Sequence, residues 1–131
     1  MKKEKIKDTV LCASSAYEQK FYINPKFDGL PKDIKDELKV MCVLFTEDVG
    51  GILTLEFDED GTLLLETSFD EGDLLYDDIG AGLKIKKMQN EKSELFAALE
   101  MYYKVKNGMR YMNKFKDQIV YNPGGNICYL R

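Results

Sequence analysis

The stretch GGILTLEFDEDGTLLLETSF, running from Gly50 to Phe69, decides the fold. After the Gly50-Gly51 break, Ile52, Thr54 and Glu56 fall on one face of an alternating run, and Leu53, Leu55 and Phe57 on the other. That period of two is the pattern of a half-buried strand. Asp58 to Gly61 forms the turn, with Gly61 supplying a positive φ that other residues adopt at a cost. Thr62 to Phe69 is the return strand. The segment therefore predicts an antiparallel β-hairpin.

Upstream, Leu30-Pro31 opens a helix. Pro31 suits a first turn, and Asp33, Asp36 and Glu37 favour the positive end of the helix dipole. Leu30, Ile34, Leu38, Met41, Cys42 and Phe45 keep helical spacing on one face. From Val40 to Phe45 every residue is apolar, so the segment is either a helix buried all round or a strand. The periodicity favours a helix to about Thr46. Residues 9–24 predict a short strand or helical turn followed by an extended segment, ended by Asn24-Pro25.

Downstream, a long helix is predicted from about Asp77 to Lys106, its start blurred by Gly80 and Gly82. Ile85, Met88, Leu95, Leu99 and Tyr102 form an apolar stripe, widened by Phe96 and Tyr103 and broken by Lys92. Thirty residues of helix span about 45 Å, longer than a small domain is wide. Part of the stripe is therefore expected to pack on a second copy. The alternative is that the helix bends at Gly80 or Asn90 and covers its own sheet. Beyond Asn107-Gly108, Ile119 to Leu130 reads as a short second hairpin. The expected fold is α+β: a helix, an antiparallel hairpin or sheet and a long C-terminal helix. Residues 1–106 form one domain and residues 107–131 a basic tail, packed on the domain or a neighbour.

Charge is strongly polarised. Between Val40 and Leu83 there are twelve acids and no Lys or Arg, whereas Lys104 to Arg131 holds six bases and one acid. Such fields set solubility and partners rather than fold. No apolar run approaches the ~20 residues of a membrane span, and the basic N-terminus lacks the apolar core of a signal peptide. A cytoplasmic protein without membrane association is expected. The three cysteines, Cys12, Cys42 and Cys128, are widely spaced and read as reduced, mostly buried thiols.

The chain has no histidine. That excludes Ser-His-Asp and Cys-His mechanisms within the chain, His-ligated zinc and imidazole switches. No catalytic residue and no cofactor motif stands out. Gly50-Gly51 and Gly80-Ala-Gly82 lack the spacing and the Lys-Ser/Thr of a phosphate loop. Aligning Gly61 with the glycine of a calcium loop puts Glu56, Asp58 and Asp60 at ligating positions, but the closing Glu is replaced by Thr67 and the flanks are strands. The acid pairs Glu47/Asp48 and Asp77/Asp78 suit general acid–base work only if buried. The tail mixes bases with Tyr111, Phe115, Tyr121 and Tyr129, yet the acidic body argues against nucleic acid.

The run CVLFTEDVGGILTLEFDEDG from Cys42 to Gly61, with YEQKFY from Tyr17 upstream and LEMYYK from Leu99 downstream, resembles an uncharacterised family of small bacterial proteins. The resemblance covers about residues 8–106 and implies no activity, cofactor or site. The order helix, hairpin, helix is also loosely similar to that of roadblock-type dimerisation domains. The leading expectation is a non-enzymatic interaction or adaptor domain, forming a homodimer or binding an unidentified protein. The second is a ligand-binding or calcium-type domain using the acidic 56–66 hairpin, and a carboxylate enzyme comes third.

Overall fold

The computed structural model describes residues 8–108. Four strands form one antiparallel sheet: β1 (Val10–Ser15), β2 (Lys20–Ile23), β3 (Ile52–Phe57) and β4 (Leu63–Ser68), in the order β2-β1-β3-β4. The helices are α1 (Lys32–Val49), α2 (Asp78–Glu91) and α3 (Ser93–Lys106). The tail hairpin read from Ile119 to Leu130 lies outside the described residues.

The β3–β4 hairpin forms in the register that its alternation dictates, with Phe57 opposite Leu63 and Leu53 opposite Thr67. Leu53, Leu55 and Phe57 are buried and face the helices. Gly61 takes φ 87°, and Asp58 closes the turn by accepting from the amides of Asp60 (2.8 Å) and Thr62 (2.9 Å). The 9–24 segment is a second hairpin, β1–β2. A bulge between Val10 and Cys12 turns both Leu11 and Cys12 into the core and breaks strict alternation.

The run Val40–Phe45 is helical, and α1 continues to Val49. It is not buried all round, however. Leu38, Met41, Cys42, Phe45, Thr46 and Val49 face the sheet, while Val40 and Leu44 are exposed.

The predicted single helix over 77–106 is two helices meeting at Lys92, whose φ −111° and ψ 23° leave the helical region. Each half has fourteen residues, about 21 Å, which fits a domain of this size. The break lets α3 pack on β4 while α2 packs on α1 and α3. Lys92 holds the corner by donating to Glu37 on α1 at 2.9 Å. Neither Gly80 nor Asn90 is the break. Gly80 sits in the first turn of α2, where a Cβ would collide with the capping carboxylate of Asp77.

Between α1 and β3 the chain reverses through Gly50 (φ 85°) and Gly51 (φ 71°). A Cβ on Gly51 would lie 2.7 Å from the Ser68 carbonyl oxygen and 2.7 Å from the Tyr76 ring. Gly51→Ala is therefore expected to cost about 2–3 kcal/mol, combining positive-φ strain with a backbone clash that no side-chain movement relieves. A denaturant midpoint unchanged from the parent would contradict this.

Candidate interaction surface

The stripe Ile85, Met88, Leu95, Leu99 and Tyr102 lies within the molecule's own packing. Met88 and Leu99 are buried, and Ile85, Leu95 and Tyr102 pack against the core. Tyr103 stacks on Phe57 at 4.1 Å with a 12° tilt, and burial, then the charges of Asp8, Asp58 and Glu56, raises its phenol pKa.

The free apolar surface lies elsewhere. Helices α1 and α2 run antiparallel, joined at one end by Lys92–Glu37 and at the other by Lys84–Asp48. Between these ion pairs lies a groove of about 600 Å³, floored by Val40, Met41, Leu44 and Phe45 from α1 and Met88 from α2. Lys84, Lys87 and Glu91 of α2 and Lys92 at its end rim one side, facing Asp33, Asp36 and Glu37 on α1. Ile79 and Leu83 are exposed one turn apart on α2, continuing past the Lys84–Asp48 end.

The loop before α2 carries further exposed apolar side chains. Leu74 and Leu75 are 93% and 92% exposed. Their loop is nonetheless fixed. Asp73 accepts from the Tyr17 hydroxyl and from the Leu75 amide, and Tyr17 accepts from the Asp70 amide at 3.0 Å. Phe69 stacks on Tyr76 at 4.3 Å behind it. Two leucines are thus presented to solvent on a braced loop rich in acids: Asp70, Glu71, Asp73, Asp77 and Asp78. Clusters of exposed apolar side chains of this kind mark binding surfaces.

The other candidate residues have local duties. Glu56 accepts from Thr9 at 2.8 Å, on the sheet face away from the helices. One Asp58 oxygen is taken up by two turn amides, and Asp60 is exposed in that turn. Among the described residues no group of three or more His, Cys, Asp or Glu is placed to hold a metal ion. Asp48 pairs with Lys84, and Asp77 caps α2 by accepting from the Gly80 amide at 2.9 Å. Cys12 and Cys42 are buried free thiols 4.0 Å apart across the β1–α1 contact. The contact with Cys42, then burial, raises the Cys12 thiol well above its ordinary pKa, which disfavours a nucleophilic thiolate. No helix among the described residues is long and apolar enough to cross a membrane.

The geometry is that of an α+β domain in which α1 and α3 pack on a four-stranded antiparallel sheet and α2 packs on those two helices. The chain belongs to DUF6145, a family of unknown function, which it matches over residues 8–110. No curated protein matches it, and no solved structure does.

Proposed function

We propose that this protein is a non-enzymatic cytoplasmic interaction module that pairs with a second copy of itself through the α1–α2 face. The observation that carries this reading is the near-complete exposure of Leu74 and Leu75 on a braced loop that leads into α2, the helix that walls an apolar groove with α1. A two-fold interface needs one patch that is self-complementary. This face contains both halves: a projecting apolar segment, Leu74 to Leu83, and an apolar groove floored by Val40, Met41 and Leu44. In the pairing, each copy places Leu74, Leu75 and Ile79 against Val40 and Leu44 of the other. The absence of histidine and of a nucleotide motif supports a binding role over an enzymatic one. The two reduced, buried thiols support the cytoplasmic location.

Leu44→Glu and Leu75→Asp, made separately, test the two halves. Each residue is exposed, so each variant is expected to retain the parent's circular dichroism. Each is also expected to give only the single-chain mass by native mass spectrometry where the parent gives twice that mass. A parent that is monomeric, or variants that remain dimeric, would overturn the reading.

A further inference from the structure

We propose that a second cleft, between the β1–β2 turn and α1, binds a small organic anion that also carries a hydroxyl group. This cleft, of about 670 Å³, lies on the opposite flank of α1 from the groove. Lys39, Val43, Thr46, Glu47 and Gly50 recur along one helical stripe and line it, whereas the groove uses Val40, Leu44 and their neighbours. The inference is therefore independent of the dimer reading.

Three observations converge on this cleft. The first is charge. Residues 8–108 hold eleven lysines against twenty-one acids, yet Lys20 and Lys39 take no ion pair or hydrogen bond among the described residues. Both stand on this cleft. On a surface with that excess of carboxylates, these two ammonium groups outnumber Glu47, the one carboxylate in the cavity's lining, and leave that lining with a net positive charge.

The second is the floor. Ser14 and Thr46 are each only 3% exposed, and their hydroxyls lie 2.8 Å apart. Thr46 directs its hydroxyl to the carbonyls of Cys42 (3.3 Å) and Val43 (3.2 Å). Either hydroxyl can donate in this pair, and with two lone pairs on its oxygen Ser14 keeps acceptor capacity in both arrangements. The cleft thus combines two cationic donors at the rim with an acceptor at the base. Phe21 and Val43 supply the apolar walls. A carboxylate or phosphate ester with a nearby hydroxyl group satisfies each of these groups. The shared chemistry is the anion on the lysines and the hydroxyl on Ser14.

The third is the backbone. Gln19, in the turn that carries Lys20, has φ 54°, and it is the one non-glycine with positive φ among the described residues. It too lines the cleft. Strain held at a cavity wall is a recurrent mark of a binding site.

The test is a titration of the full chain with malate, glycerol phosphate and inorganic phosphate at constant ionic strength, followed by amide chemical shifts. Saturable shifts are expected at residues 14–21 and 39–50, with the hydroxylated probes binding more tightly than phosphate. Lys20→Gln with Lys39→Gln removes two charge-assisted contacts and should weaken binding about a hundredfold, at about tenfold each. Both lysines are exposed, so the spectrum elsewhere should be unchanged and the fold intact. Ser14→Ala should remove the preference for hydroxylated probes while leaving phosphate binding in place. The proposal is overturned if no probe gives saturable shifts at the cleft, or if the double-lysine variant binds as the parent does.

Discussion

Leu99→Glu is expected to leave the chain unfolded at room temperature. Leu99 is 2% exposed on α3, inside the apolar cluster that joins the helices to the sheet. Glutamate there either buries a charge or forces the α3 packing apart. Losing the leucine contacts and burying an unpaired carboxylate together cost about 4 kcal/mol or more, a large share of the ~5–15 kcal/mol that holds a small domain folded. Val105→Glu, on the exposed side of the same helix α3, is the matched control and should shift stability by no more than about 0.5 kcal/mol. Far-UV circular dichroism and a thermal melt read both. A folded Leu99→Glu monomer would mean that the stripe serves a partner rather than this core.

Phe57→Ala is expected to cost about 3–5 kcal/mol, the range for deleting a buried aromatic ring. Phe57 ends β3 fully buried, and its ring is stacked on Tyr103 of α3 and lies 5.8 Å from Phe27 in the turn before α1. It is the point where the sheet, the first turn of helix and the last helix meet. Lys106 lies over the Phe27 ring from the solvent side, closing the same cluster. The loss should appear as a lower urea midpoint with the slope little changed. A loss below about 1 kcal/mol would show that the cluster repacks around the missing ring.

The hairpin was legible because its two alternating runs admit a single register. A slip by one residue would turn Leu53, Leu55 and Phe57 to solvent. Helix α1 was legible from the spacing of Leu38, Met41, Cys42 and Phe45. The first hairpin was not, since the bulge at Leu11 destroys alternation in β1, and β2 has only four residues. The corner at Lys92 was also hidden. No glycine or proline marks it, and what holds it is an ion pair to Glu37, fifty-five positions away.

The interaction face shows the same division. Periodicity says which residues share a face of one continuous helix, and the break at Lys92 puts Met88 on α2 and Leu99 on α3. It does not say what covers that face: the expectation that part of the stripe packs on a second copy and the alternative that it covers its own sheet share one pattern, and here Met88 and Leu99 are buried in the chain's own core. One signal was present. Six consecutive apolar residues, Val40 to Phe45, cover more than one helix face, so either the helix is buried all round or part of the run is exposed, as Val40 and Leu44 are. Leu74-Leu75 within an acidic loop was a second. The cleft beside Lys20 and Lys39 carried no sequence signature, because Ser14 and Thr46 meet only through the packing of β1 on α1.

Sedimentation equilibrium of the unmodified chain across a wide concentration range tests the self-association claim most directly. The account predicts a reversible monomer–dimer equilibrium whose dimer is lost in Leu44→Glu and in Leu75→Asp, with the secondary structure of both retained. A single-chain mass at every concentration would contradict it.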